Sequence, residues 1–363
     1  MYPRPDNGRM TTEATVRDHV LTGNLWWLLP PAAAFFYPQA VRALYESAKL
    51  LKRASGPAEA LAWLAIVGSV GLVYGVPAVG LGVAYLLGRQ ERASASELLA
   101  RRVAHLVVAS PSLFVLIGVI FYLLHSANGD SVLWPILWLT VLAATAWAMH
   151  RRGTETTASA IPNPIPLRVA HGISALLIVL IFLAWHLLNH ASAAFSAAFN
   201  QAMMNSLRKW YRSELVQPVL VMLILFQVVS GAALFWRATV ARGDVYRTLQ
   251  TCSGAFLVAF ITSHLNAVFI LGRLVTKVDT TFLWASGAPM GLLPDAWNVR
   301  LIPHYSLGVC FVVTHMALGL RSVLLFHSVS PAAADRVAWG VGALGVAFAL
   351  TITVAQLSVH GAS

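Results

Sequence analysis

Eight stretches of this chain, at 60–88, 103–125, 131–150, 169–190, 215–236, 248–272, 301–320 and 337–359, contain no Asp, Glu, Lys or Arg. A helix needs about 20 residues to cross ~30 Å of hydrocarbon, and every one of these windows is that long. Backbone polar groups in lipid must be satisfied within the segment, so each window predicts a transmembrane helix. A ninth charge-free window, 20–41, carries Pro30, Pro31 and Pro38. Proline removes a backbone donor and breaks helices, so this window predicts either a kinked span or an interfacial helix. Only 11% of the 363 residues are charged, against roughly 25% in soluble domains. That supply cannot cover a soluble core, and the apolar bias excludes disorder. The expected fold is an all-α polytopic transmembrane bundle of eight or nine spans. Cys252 and Cys310 lie inside apolar windows, so no structural disulfide is expected. No C-x-x-C-H occurs, which excludes covalent c-type haem. No secretory signal pattern opens the chain.

Lys and Arg mark the cytoplasmic loops of membrane proteins. Arg89, Arg92, Arg101 and Arg102 fall between the first two windows, whereas 126–130 has no basic residue. Arg151, Arg152 and Arg168 come next, then Arg237, Arg242 and Arg247, then Arg321 and Arg336. These groups recur every second span, which places them in the cytoplasm and, with nine spans, the N-terminus as well. Two groups, Lys49–Lys52–Arg53 and Arg208–Lys209–Arg212, fall on the outer side against this alternation. The net charge of +11 is dispersed over short loops, so it is a topology signal and no nucleic-acid partner is expected. The chain divides into an N-terminal membrane extension at 1–152, a Pro-rich linker at 153–166 and a five-helix unit at 167–363. Arg102-Val103-Ala104-His105 and Arg168-Val169-Ala170-His171 each open a span, a weak internal echo.

The spans hold almost no charge at depth, and what they hold instead is histidine: His186, His264 and His315. Ionisable groups inside a membrane are functional candidates by default. His186 lies 18 residues beyond Arg168, and His264 lies 17 beyond Arg247. At ~1.5 Å per residue the two sit ~27 and ~26 Å from the basic side. Their helices run parallel, separated by one antiparallel span. Two imidazoles at equal depth can ligate one haem iron axially within a bundle.

The downstream half resembles the five-helix cytochrome b subunit that anchors succinate:menaquinone oxidoreductases and fumarate reductases. The resemblance rests on three motifs in order, over roughly residues 163–358. Arg168-Val169-Ala170-His171 is followed fifteen residues later by His186. Thr248-Leu249-Gln250-Thr251-Cys252-Ser253-Gly254 leads to His264, and His315-Met316-Ala317-Leu318-Gly319-Leu320-Arg321 closes the set. The resemblance implies a haem b subunit that is not catalytic alone. Its direct reaction would be quinone reduction or oxidation, with menaquinone the expected species. It further implies separate flavoprotein and iron–sulfur subunits on the cytoplasmic face of a bacterial inner membrane, and His186 and His264 as axial haem ligands. It names no catalytic residue, and it explains nothing upstream of 160. The N-terminal spans are expected to pack beside the five-helix unit, in place of a small subunit or as oligomer contacts.

One position departs from the family. Dihaem members carry a histidine on the second helix as partner to the His315 position, and Gln227 stands there. An amide is a poor axial donor. His171 lies only three residues beyond Arg168, ~5 Å too shallow by helical rise and on the wrong helix. One haem per chain is therefore expected, a second requiring a donor for His315 that the spacing does not supply. His171 and Arg321 are candidate contacts for haem propionates. His105, His125, His150, His171, His190, His304 and His327 sit at span ends, where side chains snorkel to headgroups. The alternatives are the cytochrome b subunit of another quinone-linked dehydrogenase, of formate dehydrogenase or hydrogenase type, and a haem-free transporter or scaffold.

Overall fold

The computed structural model describes residues 25–89, 93–151 and 164–359, and the regular elements among them are all helices. In chain order these are α1 (Leu25–Phe35), α2 (Tyr37–Arg53), α3 (Pro57–Gly88), α4 (Ala95–Val108), α5 (Ser110–Leu123) and α6 (Gly129–Arg151). The second half holds α7 (Ile165–Ser192), α8 (Ala197–Tyr211), α9 (Val216–Ala238), α10 (Val245–Val275), α11 (Asn298–Phe326) and α12 (Pro331–Leu357). Residues 20–24 of the ninth window, Arg92, Arg152 and most of the linker lie outside the described residues.

Seven helices are long and apolar enough to cross a membrane, or eight if α4 and α5 count as one broken span. Here the structure refines the expected count. The window 103–125 is bent by 68° between α4 and α5. Pro111 lies in the first turn of α5, where its ring cannot pass beneath a continuing helix. The described part of the window 20–41 is not one helix. It breaks at Phe36, and α1 has only eleven residues, ~16 Å of rise. Pro30 and Pro31 open the α-helical part of α1, Leu29–Phe35, after a 3-10 turn, and Pro38 lies in the first turn of α2, where the missing amide proton has no helical partner to lose.

Both hydrophobic cores join the two halves of the chain. Tyr37, Phe114, Trp134 and Trp138 from upstream pack with Leu292, Val299 and Ile302. Val83, Ala104 and Val108 pack with Cys252 and Phe256 of α10. α10 is accordingly the hub, touching α3, α4 and α5 on one side and α9 and α11 on the other. At one end of the bundle the α3–α4 and α9–α10 connections meet. The Gly243 amide donates to Gly88 O (2.9 Å), and Arg101 donates to Ala241 O (3.0 Å). At the other end Arg300 pairs with Asp130 at 3.0 Å, both side chains largely buried, and its guanidinium covers the Phe114 ring at 4.3 Å.

One group that ran against the charge alternation proves to be tied down. Arg208 pairs with Asp279 at 2.7 Å and donates to Thr280 O at 2.8 Å; Arg212 donates to Thr280 Oγ1 at 3.3 Å. α7 and α9 are the least covered spans: only 11% of each apolar window is buried inside the protein, against 28% for α3.

Candidate functional site

α7 and α10 both depart from regular α geometry beside their histidines. α7 contains a π-helical turn, Val179–Leu183, which ends three residues before His186. α10 turns π-helical over Asn266–Val275, two residues after His264. Such widened turns concentrate at functional sites. The ring centres of His186 and His264 stand 6.1 Å apart, with their planes 67° to each other. A metal–imidazole bond of about 2 Å on each side of one iron puts two axial ring centres roughly 6 Å apart. Phe182 stacks on His186 at 4.7 Å and Phe260 on His264 at 5.7 Å, so each imidazole is oriented by an aromatic one helical turn before it.

Unsatisfied polar atoms and open space lie beside His264. Ser263 Oγ and Asn266 Nδ2, flanking His264 in sequence, are buried without a hydrogen-bond partner, and buried polar atoms of that kind call for a ligand or water. A cavity of about 430 Å³ opens beside His264, lined also by His304, Tyr305 and Trp284, and by Val115 and Val119 of α5. No group of three or more His, Cys, Asp or Glu among the described residues could hold a bare metal ion. Haem asks less of a protein, because the porphyrin supplies four of the iron's ligands.

Three of the histidines at span ends have partners within the protein. His190 lies 4.5 Å from His186, one turn further along the same face of α7; that spacing was visible in the sequence. His304 is 2% exposed, with Nδ1 3.0 Å from Ser112 Oγ and its ring 4.7 Å from Phe260. His105 is 1% exposed and has both ring nitrogens engaged, by Arg101 O (2.7 Å) and Thr251 Oγ1 (2.9 Å). His304 and His105 are held by partners on other helices, Ser112 on α5 and Thr251 on α10. His125, His150 and His327 are exposed.

A second histidine pair lies 15 residues back along α7. His171 and His315 have ring centres 6.5 Å apart, with planes at 79°. The expectation that His171 is too shallow and on the wrong helix fails here. Rise along ideal, upright helices ignores tilt and the reach of side chains leaning toward each other. Gln227 is not aimed at His315: its Nε2 donates to His171 O (2.6 Å) and to Ser174 Oγ, binding α9 to α7. Arg321, the other candidate for a propionate, donates from Nε to Asp335 at 2.6 Å and covers the Tyr246 ring at 3.7 Å.

The chain is thus an all-helical protein built on long apolar, membrane-spanning helices. No protein-family model matches it, nor does any curated protein or solved structure.

Proposed function

We propose that this chain is a haem b-holding membrane anchor that carries electrons between a cytoplasmic dehydrogenase module and quinone in the bilayer, as the cytochrome b subunits it resembles do. The observation that carries the reading is the His186–His264 pair, 6.1 Å apart on α7 and α10. Haem, when bound, supplies a one-electron carrier. The protein's part would be to hold it: His186 and His264 would bind the group, with Phe182 and Phe260 stacked on their rings to fix the ring planes. The surrounding apolar spans exclude water. Partner flavoprotein and iron–sulfur chains would dock on the end where Arg89, Arg101, Arg102, Arg242 and Arg247 gather, which this reading takes as cytoplasmic in a bacterial inner membrane. Menaquinone is the expected electron acceptor or donor.

The test is an absorption spectrum of the purified chain together with haem extracted per polypeptide. The expected outcome is a Soret band with reduced b-type bands, and the loss of one haem in either His186→Ala or His264→Ala. A colourless protein would overturn the reading and leave a transporter or scaffold. Wild-type haem content in both variants would overturn the ligand assignment.

A further inference from the structure

We infer that Arg208, Arg212 and Arg273 form a binding site for the phosphate of an anionic phospholipid, at the end of the bundle opposite the basic loops. The inference does not depend on the haem-holding reading. Its ground is a surplus of guanidinium donors gathered where two spans end.

Arg208 and Arg212 stand one helical turn apart at the C-terminal end of α8. Arg273 lies in the last turn of α10, and Gln217 in the first turn of α9. The loop after α10 supplies Asp279 and Thr280. Arg208 Nη1 donates to both Asp279 oxygens (2.7 and 2.9 Å), and its Nη2 to Thr280 O (2.8 Å). Arg212 Nη2 donates to Thr280 Oγ1 at 3.3 Å, with Nη1 4.0 Å from Asp279. Arg273 Nη1 donates to Gln217 Oε1 (3.0 Å), and its guanidinium lies over the Phe269 ring at 4.6 Å.

These contacts fix three guanidiniums but satisfy only part of each. Nε of all three is buried and has no hydrogen-bond partner, and buried donors of that kind call for an acceptor. Arg300 shares this feature, but it has Asp130 to itself as counter-ion. Here, among the described residues, three cations share Asp279, whose own side chain is 56% exposed. Burial, and then repulsion from Arg208 and Arg273, lower the pKa of Arg212, so the three charges act on one another. A bound anion relieves that repulsion.

The chemistry selects both the anion and its source. Nε–H and a neighbouring Nη–H form a planar fork that matches two oxygens of a phosphate. Trp210, Leu215, Leu274 and Val275, the arginines' neighbours in sequence, are exposed apolar side chains, and tryptophan marks the headgroup level. Only 11% of the α9 window is buried inside the protein, which leaves its face to lipid. A phospholipid can lay its chains there while its phosphate meets the guanidiniums, as anionic headgroups do in basic pockets between spans. The Arg208–Lys209–Arg212 group, which runs against the charge alternation, thereby gains a role that topology does not give it.

The experiment follows the unfolding midpoint of the full-length, delipidated chain in dodecyl maltoside. It is titrated with dioleoyl phosphatidylglycerol, with zwitterionic dioleoyl phosphatidylcholine, or with inorganic phosphate. Phosphatidylglycerol is expected to raise the midpoint by about 2–4 °C, and the other two to leave it unchanged. Arg212→Gln and Arg273→Gln are each expected to need ~10-fold more phosphatidylglycerol for half the shift, the worth of one charge-assisted contact. Lys209→Gln removes the same charge from an exposed neighbour and is expected to titrate as the wild type does. Native mass spectrometry of the wild type, where no variant has to fold, is expected to show phosphatidylglycerol retained over phosphatidylcholine from an equal mixture. Equal retention or equal shifts for the two lipids would overturn recognition of an anionic headgroup. A full shift by inorganic phosphate would overturn the lipid as its source. An equal loss in Lys209→Gln would reduce the effect to net charge, and wild-type titration in both arginine variants would move the binding elsewhere; either result removes the site.

Discussion

Gln227 is a position where chemistry at the residue scale was legible only in part. As a sequence it is an absent imidazole, and that reading of its donor strength stands. Its role is visible only once α7 and α9 are packed, because both its partners, His171 O and Ser174 Oγ, are 53 or more residues away. Replacing it by leucine removes two donated hydrogen bonds between the helices, while Ser174 Oγ still donates to His171 O (3.1 Å), so the loss is ~0.5–1.5 kcal/mol per bond. Gln227→Leu is therefore expected to lower the thermal unfolding temperature in detergent, while Gln227→Glu, an acceptor only when ionised, does no better. An unchanged melting curve in the leucine variant would remove the tether. Ser253→Ala tests the neighbouring contact. It takes away one of the two acceptors for His315 Nδ1–H, a contact worth ~0.5–1.5 kcal/mol. Its expected signature is a small drop in the unfolding temperature in detergent, and an unchanged melting curve would show that Gln250 O alone suffices. The pairing of His186 with His264 was readable at this scale because depth along a helix is simple arithmetic. His304 was misread as interfacial because burial by a partner helix leaves no local mark, whereas the contact of His190 with His186 follows from their four-residue spacing.

Helix ends and helix contacts obey rules at the scale of elements that a sequence states openly, and departures from them are equally specific. Charge-free length predicted the spans, and the position of Pro111 explains why one of them bends between α4 and α5. The close approach of α3 to α4 was not legible. Five glycines between 68 and 82 look alike in sequence, and only packing separates them. A Cβ on Gly80 would meet Ala104 O at 2.7 Å and Val108 N at 3.0 Å, whereas one on Gly82 meets nothing within 4 Å. The first obstacle is backbone, which cannot rotate away. Gly80→Val is expected to force α3 off α4 and destabilise the protein by at least ~1–3 kcal/mol. Gly82→Val, facing open space, is expected to leave the melting temperature within a degree or two on the scale of a neutral surface change. Equal behaviour of the two variants would show that this contact does not hold the helices together.

Taken as a whole molecule, the N-terminal half is not a separate bundle beside the haem-binding candidates. Lipid is as apolar as the helix faces it would replace, so apolar contact alone does not force association inside a membrane. The polar ties across the junction matter more. His105 meets Thr251 Oγ1, Arg101 meets Ala241 O, Arg102 meets Trp236 O, His304 meets Ser112 Oγ and Tyr74 Oη meets Ser306 Oγ at 2.6 Å. Arg300, 12% exposed at its side chain, has Asp130 as its counter-ion. Removing residues 1–152 takes away one partner from every one of these contacts. Leaving a largely buried arginine without its carboxylate costs ~3–5 kcal/mol by itself. It would also uncover the π-helical stretch of α10, which α5 packs against, next to His264. The fragment 153–363 is therefore expected to give no monodisperse particle in detergent size exclusion. Co-expression with 1–152 as a second chain should restore it, because the junction consists of contacts and needs no covalent link. Asp130→Ala in the full-length chain isolates the largest single tie, with an expected drop in melting temperature that Asp130→Glu partly recovers. A fragment 153–363 that ran as a single sharp peak, with the full-length protein's haem content, would mean that the upstream helices are passengers and that α10 needs no cover.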